Sequence, residues 1–128
     1  MSKYYKRSNK YNVAPKNERT WHGLFHGETR TIVFDSKAEM EYFLTYRYLE
    51  LSGAIKELQL QVPFKITTKR KYYADFTFIP TKNDKINGFI AEKLHIVDVK
   101  GMVTELFKLK WELMQMYYKD YIYLIVKK

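Results

Sequence analysis

The stretch Leu94-His95-Ile96-Val97-Asp98-Val99-Lys100-Gly101 has the aliphatic density of a core strand and stops at a glycine. Alternation puts Leu94, Ile96, Asp98 and Lys100 on one face and His95, Val97 and Val99 on the other. Asp98 therefore shares a face with aliphatic residues, where an ionised carboxylate needs a partner or a metal. Spacing alone says little, because the 14 acids of this 128-residue chain meet its lysines in roughly two acid-x-lysine triplets by chance. Context distinguishes the two Asp-x-Lys triplets the chain has: Asp35-Ser36-Lys37 lies at a helix start, where Asp and Ser are ordinary caps.

A second acid is equally out of place. Tyr72-Tyr73-Ala74-Asp75-Phe76-Thr77-Phe78-Ile79 is rich in strand formers, and Asp is disfavoured there. Tyr72, Ala74, Phe76 and Phe78 form the apolar face, leaving Asp75 beside Tyr73, Thr77 and Ile79. If this strand pairs with the one carrying Asp98, two carboxylates converge with Lys100. Crowded carboxylates repel unless a proton or cation intervenes, and hard oxygen ligands favour Mg²⁺. The plainer alternative is an Asp–Lys ion pair on an exposed sheet face.

Glu39 is the third acid of interest. Ser36-Lys37-Ala38-Glu39 fits a capping box, which by itself explains the glutamate. On the helical wheel, however, Lys37, Glu41, Thr45 and Ser52 form the polar stripe, and Glu39 falls in line with Phe43 and Tyr46. Glu50 falls on the same line about three turns away.

The remaining pattern sets the order of elements. Thr20 to Phe34 reads as a hairpin turning at His26-Gly27-Glu28. A helix follows, with Met40, Phe43, Leu44, Arg47 and Leu51 at helical spacing until Ser52-Gly53 stops it. Gln61–Thr67, Tyr72–Ile79 and Leu94–Lys100 read as strands, with a polar connection over Thr81–Gly88. Thr104 to Lys119 is helical and Tyr121 to Val126 is a last strand. The expected class is α/β (α+β), in the order α-β-β-β-α-β after an N-terminal hairpin.

Charge and composition bound the function. The chain carries a formal charge of +9, 46% hydrophobic residues and no cysteine. That excludes a disulfide scaffold, a Cys-based zinc site and a thiol nucleophile, and it does not suit a disordered polycation. No apolar run suits a bilayer span, and no signal-like segment follows the N-terminal charges, so a cytoplasmic protein without a membrane partner is expected. Residues 1–19 hold Lys3, Lys6, Arg7, Lys10, Lys16 and Arg19 against Glu18, a net of +5, leaving +4 for the other 109 residues. They read as a basic arm, with a single domain over residues 20–128. Interleaved Tyr4, Tyr5 and Tyr11 suit a nucleic acid, since cations neutralise phosphates while rings stack on bases. A solvated, solubilising tail is the alternative.

A glutamate on the first helix, an aspartate on a central strand and Asp-x-Lys on the next, followed by a helix and a strand, resemble the PD-(D/E)XK nuclease superfamily. Phe34-Asp35-Ser36-Lys37-Ala38-Glu39, Ser52-Gly53-Ala54-Ile55, Leu58-Gln59-Leu60-Gln61, Tyr73-Ala74-Asp75-Phe76 and Asp98-Val99-Lys100-Gly101 resemble a family of small phage and prophage proteins in it. They are also similar to the endonuclease subunit of certain cut-and-paste transposons. The likeness covers about residues 20–126, with Ala74 standing where the family has a proline. It implies a restriction-endonuclease-like core, a mixed central sheet flanked by helices, and Mg²⁺-dependent DNA hydrolysis in a bacterial host cell, with Mn²⁺ able to substitute. In that reading Asp75, Asp98 and the Val99 carbonyl hold one or two Mg²⁺, Glu39 binds directly or through water, and Lys100 orients or activates the attacking water.

Branched or junction DNA, a homodimer, and phage or host replication or recombination partners are compatible with the resemblance. Lys110, on the helix face away from Lys108, Glu112, Gln115 and Lys119, is a further phosphate candidate or a snorkelling lysine. Gln59 and Gln61 are candidates for hydrogen bonds near the site. His22 and His26 read as hairpin residues, and His95, Trp111, Met114, Met116 and Tyr118 as packing. Two rivals remain: a nucleic-acid-binding protein that keeps the fold without cleaving, and a protein-interaction module using aromatic surface.

Overall fold

Residues 13–128 are described by a computed structural model. After a 3₁₀ turn at Lys16–Glu18 come β1 (Thr20–Phe25), β2 (Glu28–Val33), α1 (Lys37–Leu51), β3 (Ile55–Lys65), β4 (Lys71–Pro80), β5 (His95–Lys100), α2 (Glu105–Tyr117) and β6 (Ile122–Lys127). The class is α+β, and the element order is the expected one. Two units pack internally, one ending at Leu44 and the other spanning Thr45–Lys128, so the division falls inside α1.

In the first unit β1 and β2 pair antiparallel from Thr20↔Val33 to Phe25↔Glu28. His26 and Gly27 close the hairpin with φ of 51° and 81°, as a two-residue turn matched to strand twist requires. Phe43 is fully buried, with the rings of Trp21, Phe34 and Phe25 at centroid distances of 5.0, 5.1 and 5.3 Å. The Ser36 hydroxyl accepts the Glu39 amide at 3.1 Å, capping the start of α1. Buried Glu39, Phe43 and Tyr46 mark the inward line of this helix, whereas Leu44 and Leu51, which keep helical spacing, are exposed. They lie on the flank of the stripe that the aromatic residues fill.

In the second unit α1 ends in a Schellman arrangement. Gly53, at φ 85°, donates to the Glu50 carbonyl at 3.1 Å, and Ala54 donates to the Leu49 carbonyl at 2.9 Å. A mixed sheet follows in the order β3-β4-β5-β6, antiparallel except for the parallel β5–β6 pair joined through α2. Phe107, Trp111 and Met114 of α2 bury against Ile66, Tyr72, Ala74 and Ile96. Tyr46 lays its ring against Phe76 and Phe78. Met116, expected to pack, is exposed, because it lies beyond the edge of the face that Phe107, Trp111 and Met114 define.

β3 starts six residues before the expected Gln61, and Gln59 and Gln61 lie inside it. The register against β4 slips by one residue between Lys56 and Gln59, with Glu57 at φ 56°. This bulge puts buried Ile55 and Leu58 three residues apart, so the period of two that signals a strand is broken. Glu50 takes up the displaced backbone by accepting the Leu58 amide at 2.9 Å. Among the described residues, no helix is long and apolar enough to cross a membrane.

Candidate active site

β4 and β5 pair as Phe78↔His95, Thr77↔Ile96 and Phe76↔Val97. The ladder ends at Phe76↔Val97, one step short of Asp75 and Asp98, and beyond it a side chain takes the ladder's place. Asp75 Oδ2 accepts the Val99 amide at 2.8 Å, while Gln61 Nε2, from β3, donates to Asp75 Oδ1 at 3.0 Å. The Tyr72 hydroxyl donates to Asp98 Oδ2, and Lys100 Nζ stands 3.5 Å from Asp98 Oδ1. Three neighbouring strands thus supply one polar cluster of Gln61, Tyr72, Asp75, Asp98 and Lys100.

Burial separates the two acids. Asp98 is 2% exposed, whereas Asp75 is half-buried. Burial, and then the hydrogen bond and charge of Asp75, push the Asp98 carboxyl up to about 7 against the opposing Tyr72 and Lys100. Tyr72 is shifted upward too, by burial and by the charge of Asp98, so it stays a donor. Lys100 keeps a third of its side chain exposed and lies 4.6 Å from the centre of the Phe107 ring. The pair is therefore not an exposed surface bridge: one carboxylate is buried, the other opens to solvent, and a lysine reaches from the solvent side to the buried one. Among the described residues, no group of three His, Asp or Glu side chains converges as a metal cluster. Likewise, among those residues no buried side-chain nitrogen or oxygen lacks a hydrogen-bond partner.

The other sequence candidates are distributed around this cluster or away from it. Val99 follows Asp98 on β5, its amide held by Asp75. Glu39 is buried in the first unit, on the first turn of α1. Lys3, Lys6, Arg7 and Lys10 lie outside the described residues. Lys16 is in the 3₁₀ turn, and Arg19 donates through Nε to the Ala14 carbonyl at 3.0 Å and through Nη1 to the Phe34 carbonyl at 2.6 Å. The last residue of the expected arm is thus tied into the hairpin unit. Lys110 is half-buried on α2.

His95 is fully buried beside Phe78 and Phe89. It accepts the Ile90 amide at Nε2 and contacts the Lys93 carbonyl through Nδ1. This assigns the neutral Nδ1–H tautomer, and burial lowers its pKa accordingly. Sequence pattern places Tyr72 on an apolar face and leaves Gln61 open, and the contacts tie both to the acids. Tyr72 gives no signal because its ring also fills the core, whereas the register against β4 identifies Gln61 as the cross-strand neighbour of Asp75.

No curated protein and no solved structure matches the chain. A family model described as a protein of unknown function (DUF1064) matches residues 28–128, a span that includes Glu39 and the whole Asp75–Asp98–Lys100 cluster. The chain belongs to this DUF1064 family.

Proposed function

We propose that the protein is a Mg²⁺-dependent endodeoxyribonuclease with a restriction-endonuclease-like core of the PD-(D/E)XK type. The observation that carries this reading is a buried Asp98 carboxyl, raised first by its burial and then by the neighbouring Asp75 carboxylate on the adjacent strand, with Lys100 beside it at 3.5 Å. Such a pair holds more negative charge than its surroundings neutralise, which is the electrostatic demand a divalent cation meets. The donor set fits Mg²⁺: two carboxylates and the Val99 carbonyl are hard oxygens, and Mg²⁺ takes one or two carboxylates while keeping waters and substrate phosphate. The resemblance alone adds Glu39 as a candidate.

When bound, the metal supplies Lewis acidity at the scissile phosphate and lowers the pKa of a water. The chain's own residues do the rest. Asp75 and Asp98 hold the site's negative charge in fixed positions, because both are pinned by donors on neighbouring strands. Lys100, solvent-reaching but anchored on Phe107, presents an ammonium to the attacking water or to a non-bridging phosphate oxygen. It offsets the charge that develops on the pentavalent phosphorus. Tyr72, kept protonated, holds Asp98 Oδ2 and leaves Oδ1 facing Lys100.

Incubation with supercoiled, linear, single-stranded and four-way-junction DNA, in Mg²⁺ or EDTA, tests the proposal. Cleavage is expected only with Mg²⁺ and is expected to fall by about 100-fold or more in Asp75→Asn and Lys100→Ala. Salt-sensitive binding without cleavage would instead favour a non-catalytic DNA-binding role, and absence of binding at low salt would refute both.

A further inference from the structure

Gln61 is a non-glycine residue at φ 49° within β3. Three other described non-glycine residues share the left-handed region, and each sits where the chain turns or bulges: His26 in the hairpin turn, Glu57 at the β3 bulge and Glu92 in the β4–β5 connection. Gln61 instead sits inside a paired strand. Around it the register against β4 is unbroken, with Leu60↔Phe76 on one side and Val62↔Ala74 on the other. A strand residue in that conformation is strained, and a strained backbone persists where surrounding structure over-determines it. What the conformation accomplishes is visible in the side chain, whose Nε2 donates to Asp75 Oδ1 at 3.0 Å. Together with the Val99 amide on Oδ2 at 2.8 Å, this fixes both oxygens of Asp75 from opposite neighbouring strands. Each oxygen keeps a second lone pair.

We infer that Gln61 is a positioning residue for the acid pair, its strained backbone aiming an amide donor at Asp75 so that the carboxylate is held ready for a divalent cation. The inference rests on the metal-site reading above and deepens it. Outer donors of this kind orient ligating carboxylates, and their loss typically weakens metal binding by about 10–100-fold.

Gln61→Asn separates positioning from fold maintenance. Asparagine adopts the left-handed conformation more readily than glutamine, yet its side chain is one methylene shorter and cannot span to Asp75 in the same way. Calorimetric titration of the full chain with Mn²⁺ in the absence of DNA, alongside thermal melts and the Mg²⁺ dependence of cleavage, gives three readouts. The expected result is Mn²⁺ binding weakened by about tenfold, a melting temperature that does not fall, and a raised Mg²⁺ requirement with kcat at saturating Mg²⁺ changed less. Unchanged Mn²⁺ affinity, or a fall in melting temperature together with affinity, overturns the inference. Asp75→Asn is the control: if wild type binds Mn²⁺ and Asp75→Asn does not, the metal site stands even where the role of Gln61 fails. If wild type binds no Mn²⁺, both fail.

Discussion

Replacing Asp98 by asparagine should stabilise the metal-free protein at alkaline pH and barely change it in acid. In the folded chain burial, and then Asp75, push the Asp98 carboxyl up to about 7 from an ordinary value of 3.8. A carboxyl whose folded pKa lies above its unfolded value favours the fold below the unfolded pKa and withdraws that contribution as pH rises through the folded one. The window therefore runs from about pH 4 to about pH 7. About three pH units at 1.36 kcal/mol each give roughly 4 kcal/mol of stability lost by wild type across it. The asparagine side chain stays neutral throughout, is nearly isosteric, and still offers the Tyr72 hydroxyl an amide oxygen. In EDTA the melting temperatures of wild type and Asp98→Asn should nearly coincide at about pH 3.5 and separate by roughly 15 °C at about pH 8, the variant being higher. Differential scanning calorimetry at a series of pH values measures this directly. Millimolar Mg²⁺ should raise the wild-type value at the alkaline end more than that of the variant, which keeps only one carboxylate of the pair. A separation independent of pH, or a wild type more stable than the variant at alkaline pH in EDTA, would refute the electrostatic account of the pair.

Deleting residues 1–12 removes Lys3, Lys6, Arg7 and Lys10 while leaving Arg19 on its two carbonyls. If these cations grip phosphates, the slope of log affinity against log salt for duplex DNA should become shallower by up to about 4, at roughly 0.9 for each phosphate no longer neutralised, as fluorescence anisotropy over a salt series would measure. Glu39→Gln keeps the size of a buried side chain and the Ser36 cap on its amide. Cleavage should slow by about tenfold or more with the circular-dichroism melt little changed, and full activity would remove Glu39 from the proposed metal set.

Much of the fold is legible from local pattern because the residues concerned obey their neighbourhoods. Ser36 caps, Gly53 terminates, and His26-Gly27 turns, each for a reason contained within four or five residues. Asp75 and Asp98 stand out for the opposite reason: they break the apolar logic of their strands, and pairing β4 with β5 is enough to bring them together. What local pattern does not carry depends on non-local geometry. The early start of β3 is hidden by the bulge at Glu57, which moves Leu58 out of alternation with Ile55. Leu44 and Leu51 have helical spacing, and the three aromatic partners of Phe43 show that the Glu39–Phe43–Tyr46 line, set off from the polar stripe, is the inward one. Tyr72 is both packing and donor, and one residue letter cannot announce two roles. Arg19 is a cation in composition and a carbonyl clamp in structure.

The position of Asp98 on an interior strand has a consequence for how the molecule meets anything it acts on. β5 is paired with β4 as far as Val97 and with β6 over its whole length, so its paired amides should be among the slowest of the described residues to exchange with solvent deuterium. Its acid is mounted on framework, unlike a reacting group carried by a surface loop that can swing toward its target. Under the nuclease proposal, a phosphodiester must then be delivered to a stationary point, and the bending or fraying needed to bring it there falls on the DNA. Under the nuclease reading, discrimination between substrates becomes a matter of how easily each one deforms.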